Sequence, residues 1–412
     1  MHIATRTIET DVCVVGAGIV GLAHAHEARR RGLRVVVLDR DERAVGASVR
    51  NFGHLIFTGV GDGEPQRCAA ISRGRWLELG KRAGLHLVEA GTLVVARAPD
   101  ELAVLEAVAR DPERRARMLT AAEVAALAPI PTDKVIGGMH ATQDLRVDPR
   151  AAAAGLAELL SQDPGAQIEW GTQVHDVEEG AVYTRRLIVR APRIVVCPGP
   201  DYRSLPPALR RGLGPMTLCQ LQMLRIAPPA GRRYEPALAT GLSLIRYPAF
   251  ALRPEAAELR VRIEREKPEL VERGIHLLVT QLPDGDLVIG DTHTYGDTLA
   301  PFGEERLYDL LLREARALLG FEPEIRQRWH GIYPTVRTRD AGNFHITAPL
   351  PGVRVVENVA GIGMTLSFGQ APAVLDDLEG APAPPQTAPV NGSNGQDTSE
   401  RSTPARGDAA RL

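Results

Sequence analysis

The feature that most restricts this chain is Gly16-Ala17-Gly18-Ile19-Val20-Gly21, set between an apolar run, Val12 to Val15, and a helix-forming run that reaches Arg31. A second apolar run, Leu33 to Leu38, follows Gly32 and ends at Asp39. A glycine triplet alone says little, but between two strands and at the start of a helix it is the fingerprint of a dinucleotide-binding unit. Gly16 permits the tight turn, Gly18 lets the backbone approach a pyrophosphate, and Gly21 lets the helix lie close to the strand. The helix start offers unpaired N–H groups and partial positive charge to the phosphates. Asp39, roughly 20 residues beyond the last glycine, is placed to accept hydrogen bonds from a ribose 2′-hydroxyl, and its charge disfavours a 2′-phosphate.

With 412 residues, 44% hydrophobic and 24% charged, the chain can form two domains or one large mixed domain. A formal net charge of -2 leaves no concentrated basic face, so no nucleic-acid partner is expected. No apolar run reaches the roughly 18 residues of a membrane span. Met1 to Thr10 lacks the apolar core of a signal peptide, so none is expected. Cys13, Cys68, Cys197 and Cys219 form no CxxC pair and no zinc spacing. Cys13 and Cys197 lie in apolar runs and read as buried small hydrophobes, which fits a reducing, cytoplasmic setting.

Periodicity predicts helices over Glu64 to Ala83, closed by Gly84, and over Asp100 to Arg110, with Leu102, Leu105 and Val108 inward. Thr120 and Glu123 form a capping-box signature before a short helix. Further helices are expected at Pro149 to Leu160, at Glu304 to Leu319 before Gly320, and, shorter, near Ala371 to Leu378. Strands are expected at Thr92 to Ala96, Ile194 to Cys197, Met216 to Ile226 and Val353 to Val356. Ile275 to Ile289 reads as a hairpin turning at Pro283-Asp284-Gly285. After Gly380 large apolar residues all but vanish, and that tail is expected to be disordered.

Three later stretches separate FAD from NAD. Gly46-Ala47-Ser48-Val49-Arg50-Asn51-Phe52-Gly53-His54 resembles the flavin-contacting loop of the D-amino-acid oxidase, glycine oxidase and sarcosine oxidase superfamily of FAD-dependent oxidoreductases. Ile194-Val195-Val196-Cys197-Pro198-Gly199 resembles the strand that returns to its FAD domain. Gly361-Ile362-Gly363-Met364-Thr365-Leu366-Ser367-Phe368-Gly369 resembles its C-terminal flavin loop and helix start. Leu119 to Arg150, with Val147-Asp148-Pro149-Arg150, fits too, and the likeness covers about residues 9 to 380 in order. It implies an α/β fold with an α+β second part. A Rossmann-type FAD-binding domain would comprise 1-90, 142-213 and 327-380, and a mixed, largely antiparallel-sheet substrate domain 91-141 and 214-326, with a tail at 381-412.

The same resemblance implies a site. Gly16, Gly18, Ile19, Val20 and Gly21 would meet the pyrophosphate, and Asp39 and Arg40 the adenosine ribose. Ala47, Ser48, Asn51, Gly53 and His54 would run along the phosphates and flavin ring. Val174 would meet the adenine, Gly199 would follow the returning strand, and Gly361, Ile362, Gly363, Met364, Thr365 and Leu366 would approach the pyrimidine end of the flavin. The FAD is expected to be non-covalent. Arg50 stands where histidine-linked relatives carry their link, and no cysteine follows Cys219.

Amino-acid oxidases of this superfamily hold the substrate carboxylate with an arginine after a Trp-x-Gly run. Here the run is Trp329-His330-Gly331-Ile332-Tyr333-Pro334, with Arg337 and Arg339 beyond. A tyrosine hydroxyl is one neutral donor where arginine offers a charged, two-pronged grip. Either an arginine elsewhere holds the anion, or the anion has a different shape. The sequence is similar to a branch associated with phosphonate breakdown, which implies an aminoalkylphosphonate substrate or its N-methyl form. His54, Tyr247, Tyr333 and Arg337 are the substrate-binding candidates. Tyr295, Gln222, Met223, His293 and His330 are further pocket candidates by position. Asp291 and His293 show no metal-ligand spacing, and no metal is expected.

The implied reaction oxidises the C–N bond of a small primary or secondary amine, with hydride transfer to flavin N5 and hydrolysis of the imine. Oxygen or an electron carrier would be the acceptor. The amine must react neutral, which a desolvated pocket favours, so no dedicated base is required and no single catalytic residue is named. D-amino acid, glycine or sarcosine oxidase activity and a quinone-linked dehydrogenase are the rival enzymes. A non-catalytic dinucleotide-binding protein is the rival of another class.

Overall fold

The computed structural model describes residues 6–336 and 342–380. The runs around the glycine turn become parallel strands, Val12–Val15 and Val35–Leu38, every residue of which but Val15 is buried. Short β-branched runs buried on both faces suit a parallel sheet covered on two sides. The sheet has six strands in the order Ala166–Glu169, Val35–Leu38, Val12–Val15, Arg193–Val196, Val353–Asn358 and Phe344–Leu350. The first five run parallel, and Phe344–Leu350 closes the edge antiparallel. Val12, Val14, Val35 and Val37 point into a core shared with helices Ile19–Arg30, Glu64–Arg82, Pro149–Ser161 and Gly363–Glu379. Their neighbours Cys13, Val36, Leu38 and Val196 point into a second core, as the two-residue period of a strand requires. That second core is covered by a four-stranded sheet of Arg6–Glu9, Leu187–Arg190, Ala181–Thr184 and Val174–Glu178.

A nine-stranded sheet forms the rest of the scaffold. Its path runs Thr294–Gly296, Met216–Ala227, Leu287–Gly290, Leu278–Gln281, Ala237–Ala239, Thr92–Ala96, Gly137–Ala141, Ala116–Leu119, with Glu324–Val336 pairing Met216–Ala227 beside it. The largest core lies on this sheet beneath helices Pro99–Ala109, Ala256–Glu266 and Glu305–Leu319. Leu105 and Val108 are buried there as expected, while Leu102 is only partly covered and Val104 is buried instead. Thr120 and Glu123 form both hydrogen bonds of the capping box. The hairpin pairs Leu278 with Gly290 and Gln281 with Leu287.

Two stretches differ from expectation. The last helix is not a short one near Ala371 but runs Gly363–Glu379, through Pro372. An internal proline costs about 3 kcal/mol. Burial of Leu366, Phe368, Val374, Leu375 and Leu378, at about 1.5–3 kcal/mol each, outweighs it. This helix meets Glu64–Arg82 closely: a Cβ on Gly369 would lie 1.9 Å from the Cys68 carbonyl oxygen. Between residues 241 and 272 the chain forms four helices, Gly241–Leu244, Pro248–Ala251, Ala256–Glu266 and Pro268–Glu272. Pro248 and Pro268 begin two of them, the one helical position where proline's missing N–H is harmless. The expected tail at 381-412 and the candidate Arg337 lie outside the described residues. Among the described residues no helix is long and apolar enough to cross a membrane.

Gly74 is exposed in the middle of Glu64–Arg82, and a Cβ there would meet nothing within 4 Å. Gly74→Ala is therefore expected to stabilise the protein by about 0.5–1 kcal/mol through the chain entropy it removes. Urea unfolding of the two proteins checks this.

Candidate active site

A cavity of about 580 Å³ opens at the carboxyl ends of the central strands and runs beneath the nine-stranded sheet, where open α/β sheets hold their ligands. At one end stands Asp39. Its carboxylate accepts N–H groups of Ala17 (2.6 Å) and Asp41 (2.9 Å). Burial raises its pKa, while those two bonds act the other way. Arg40 is exposed and paired with Asp201 at 2.7 Å, and both line the cavity beside Val174 and Gly199.

The glycine turn comes next. Gly16 has φ +102°, and a Cβ there would lie 2.4 Å from the Cys197 carbonyl oxygen. A Cβ on Gly21 would lie 1.8 Å from the carbonyl oxygen of Gly16, so the helix rests directly on the turn. The Ile19 N–H is taken by Ser48 Oγ at 2.8 Å. The helix has no acidic residue in its first turn and no side-chain cap, which leaves its positive end to an anionic ligand. Gly18, Ile19, Val20 and Gly21 line the cavity with Ala47, Ser48 and Asn51. Asn51 spends its amide on its own loop: Nδ2 donates to the carbonyls of Ala47 and Ser48, and Oδ1 accepts the Gly53 N–H. Two expected contacts stand behind the wall. Gly53 packs on the strand Leu145–Val147, where a Cβ would lie 1.7 Å from the Val147 carbonyl oxygen, and Leu366 is fully buried in the helical core.

Gly361, Ile362, Gly363, Met364 and Thr365 line the middle of the cavity, at the start of the last helix. This helix start is the second one that the cavity wall includes, after that of Ile19–Arg30. The Tyr333 ring lies over Gly361, its Cζ 2.9 Å from where a Cβ would sit.

Beyond it, a cavity of about 240 Å³ shares Arg246, Tyr247 and Tyr333 with the larger one. Sequence reasoning missed Arg246. Its guanidinium makes no hydrogen bond or ion pair with any described residue. Burial works against its charge, but Tyr333, Asp291, Tyr295 and Tyr247 nearby outweigh that and raise its pKa. Burial also pushes the phenols of Tyr247 and Tyr333 upward, so both remain neutral donors. His276, Asp291 and His293 line the same region. Tyr295 borders the smaller cavity. Gln222, Met223 and His330 do not reach either lining: Gln222 is bonded to the backbone of Glu304, Met223 is fully buried, and His330 lies beside Gln220.

His54 lines the larger cavity at the head of a buried relay. Its Nε2 is 2.6 Å from Thr92 Oγ1, which donates to Asp144 Oδ2 at 2.7 Å, while Asp144 Oδ1 accepts the Thr58 N–H. Thr92 has one proton to give, so His54 must donate from Nε2 and keep Nδ1 as a bare acceptor. Burial, helped by Arg146 and His276, lowers the His54 pKa to about 3. Burial raises that of Asp144 to about 6, against its hydrogen bonds. A raised acid pKa adds stability that is complete below the unfolded value of 3.8 and is lost as pH rises through about 6. Asp144 should therefore remove roughly 3 kcal/mol from wild-type stability between pH 4 and pH 7. Denaturant unfolding against Asp144→Asn, which lacks that slope, checks the sign.

The walls suit FAD. Three buried polar atoms on lining residues lack any partner: His54 Nδ1, Asp291 Oδ1 and Glu357 Oε1. Burial, with Asp201 nearby, raises the Glu357 pKa well above its ordinary value. A carboxylate at the end of the second strand, two helix N-termini and glycines against the wall fit a long dinucleotide carrying a flat redox ring.

Comparison with known proteins agrees. Residues 11–374 match the family of FAD dependent oxidoreductases designated DAO. D-amino acid dehydrogenase 2 of Pseudomonas aeruginosa is 26% identical over 50% of this chain and 64% of its own length, so the match spans less than two thirds of that relative. In fold the chain is similar to glycine oxidase from Geobacillus kaustophilus (TM-score 0.70, 21% identity, 90% of this chain and 95% of that one). It is also similar to L-proline dehydrogenase from P. horikoshii (TM-score 0.73, 16% identity, 90% and 93%).

Proposed function

The chain belongs to the DAO family of FAD-dependent oxidoreductases, and from that premise we propose that it oxidises the C–N bond of a small amine whose anionic group is held by Arg246. The observation that carries this reading is the guanidinium lining both cavities, without a hydrogen-bond or ion-pair partner among the described residues and accompanied there by two neutral hydroxyls. It supplies the arginine that the tyrosine at position 333 withholds. Bound FAD, held without a covalent link, supplies the two-electron redox chemistry.

The six-stranded sheet carries the nucleotide, and the nine-stranded sheet roofs the substrate. Arg246 fixes the anion, and Tyr247 and Tyr333 donate to its remaining oxygens. Donors converging from the strand Glu324–Val336 and from the turn before Pro248–Ala251 suit the three oxygens of a phosphonate better than the planar pair of a carboxylate. An aminoalkylphosphonate or its N-methyl form is thus the first substrate class, and glycine, sarcosine or a D-amino acid the second. The dry, largely apolar surroundings favour the neutral amine that must react. His54, fixed in one tautomer by Thr92, offers Nδ1 as an acceptor at the wall. The four unpaired cysteines support a reducing, cytoplasmic setting.

Anaerobic mixing with phosphonate amines, their N-methyl forms, sarcosine, glycine and D-amino acids tests the reading through flavin bleaching. Bleaching by anionic amines and not by neutral amines of equal size is the expected result; the reverse order removes it. Oxygen uptake against an artificial carrier then assigns the electron acceptor.

A further inference from the structure

The hairpin of Leu278–Gln281 and Leu287–Gly290 brings His276 across from Asp291, each N–H directed at the other's carbonyl at 3.4 and 2.9 Å. His293 stands two residues on. The three side chains are buried, with exposures of 3%, 5% and 6% for His276, Asp291 and His293. One ligand atom from each lies within 4.8 Å of the others. His276 Nε2 is 3.0 Å from Asp291 Oδ1, and His293 Nε2 is 3.8 Å from Oδ2. The His293 contact is too long for a hydrogen bond, and the His276 contact, though within reach, is not aligned well enough to satisfy Asp291 Oδ1.

The outer ring nitrogens explain why. His293 Nδ1 is 2.7 Å from the Gly274 carbonyl oxygen, which can only accept. The ring proton of neutral His293 therefore sits on Nδ1, and Nε2 turns a lone pair inward. His276 Nδ1 is 3.2 Å from Ser243 Oγ, a hydroxyl able to accept in the same way. With Ser243 Oγ accepting from His276 Nδ1, two inward lone pairs face the carboxylate and form a set of acceptors around one point. Outer N–H groups anchored on a carbonyl and a hydroxyl are how metal-binding histidines are oriented.

We propose that His276, Asp291 and His293 bind one divalent transition-metal ion at the substrate end of the cavity. Two imidazoles and one carboxylate select a first-row transition metal over calcium or magnesium, which prefer all-oxygen sets. Three protein ligands leave coordination positions for a non-protein group, and all three residues line the cavity. Arg246 acts electrostatically on both Asp291 and His293, so its charge opposes the ion. An anion shared between the metal and the guanidinium would relieve that opposition. The proposal stands on this cluster alone and does not depend on the substrate reading.

The test is equilibrium dialysis of the FAD-loaded full chain, first stripped with a chelator, against Zn²⁺. Wild type should take up about one ion per chain. His276→Ala and His293→Ala should take up none at the same free Zn²⁺. Ser243→Ala should bind 10–100-fold more weakly, as expected for loss of an outer anchor. Arg246→Met should bind several-fold more tightly, a change that no merely hydrogen-bonded His–Asp–His cluster produces. Flavin absorbance reports folding of each variant. Should the histidine variants lose their flavin, Co²⁺ added to the stripped wild type decides: nitrogen-ligand bands displaced by Zn²⁺ support the site, and the spectrum of hydrated Co²⁺ overturns it. Uptake unchanged in both folded histidine variants, or no uptake by wild type, also overturns it.

Discussion

Arg246→Met is expected to lower kcat/KM for the anionic amine by roughly 10²–10³-fold while the protein keeps its full complement of FAD. Methionine preserves most of the unbranched stem and removes the charge. Losing one partner of a desolvated, hydrogen-bonded charge pair costs about 2–5 kcal/mol, and each 1.4 kcal/mol is about tenfold. The guanidinium has no hydrogen-bond partner among the described residues, but its charge favours the ionised form of buried Asp291, so a modest loss of stability should accompany the loss of activity. Arg246→Lys should recover only part of the loss, because an ammonium offers a point charge in place of a planar fork. Rates of anaerobic flavin reduction across substrate concentrations separate weaker binding from slower chemistry. Equal rates in wild type and Arg246→Met would remove Arg246 from the substrate site.

Gly21→Val is expected to purify with at least about tenfold less flavin than wild type, equivalent to 1.4 kcal/mol or more of lost binding. Its Cβ would fall 1.8 Å from the Gly16 carbonyl oxygen and 3.2 Å from Val14 Cγ1. Overpacking among side chains typically costs 1–3 kcal/mol because rotamers can yield. Here the obstructing atom is backbone, in the glycine turn that lines the cavity, so the helix must lift and its N–H groups move with it. The ratio of flavin to protein absorbance measures the effect, circular dichroism confirms the fold, and Gly74→Ala serves as a glycine substitution that retains the flavin. A full flavin complement in Gly21→Val would contradict the close seating of helix on turn.

The parts of the fold that were legible share a cause. Around Gly16 to Gly21, and at Pro283-Asp284-Gly285, a turn residue and the period of the flanking runs agree, so local chemistry and tertiary structure give one answer. Pro372 carried the opposite signal: its local preference suggested a helix boundary, and the burial of Phe368 and Val374 on either side overrode it. Arg246 was hidden for another reason. It lies between Gly241–Leu244 and Pro248–Ala251, elements too short to show a period, so nothing local tells an inward arginine from a surface one. His276 was within reach. The hairpin was recognised, and carrying its register back from the turn sets His276 opposite Asp291. Leu366 and Gly53 belong to the stretches that resemble flavin loops, yet their backbones serve packing, a distinction only three-dimensional distance can draw.

The order of strands in the six-stranded sheet fixes when this enzyme can become active. Arg193–Val196 sits between Val12–Val15, which precedes it by about 180 residues, and Val353–Asn358, which follows it by about 160. A chain still emerging from the ribosome at residue 350 therefore has an open edge beside its central strand and lacks the helix Gly363–Glu379, whose first turn lines the cavity. Pairings so distant in sequence close slowly. Completion of the cavity is thereby deferred until Val353–Asn358 and the helix after it have been made, and fragments that stop short of them lack part of its wall.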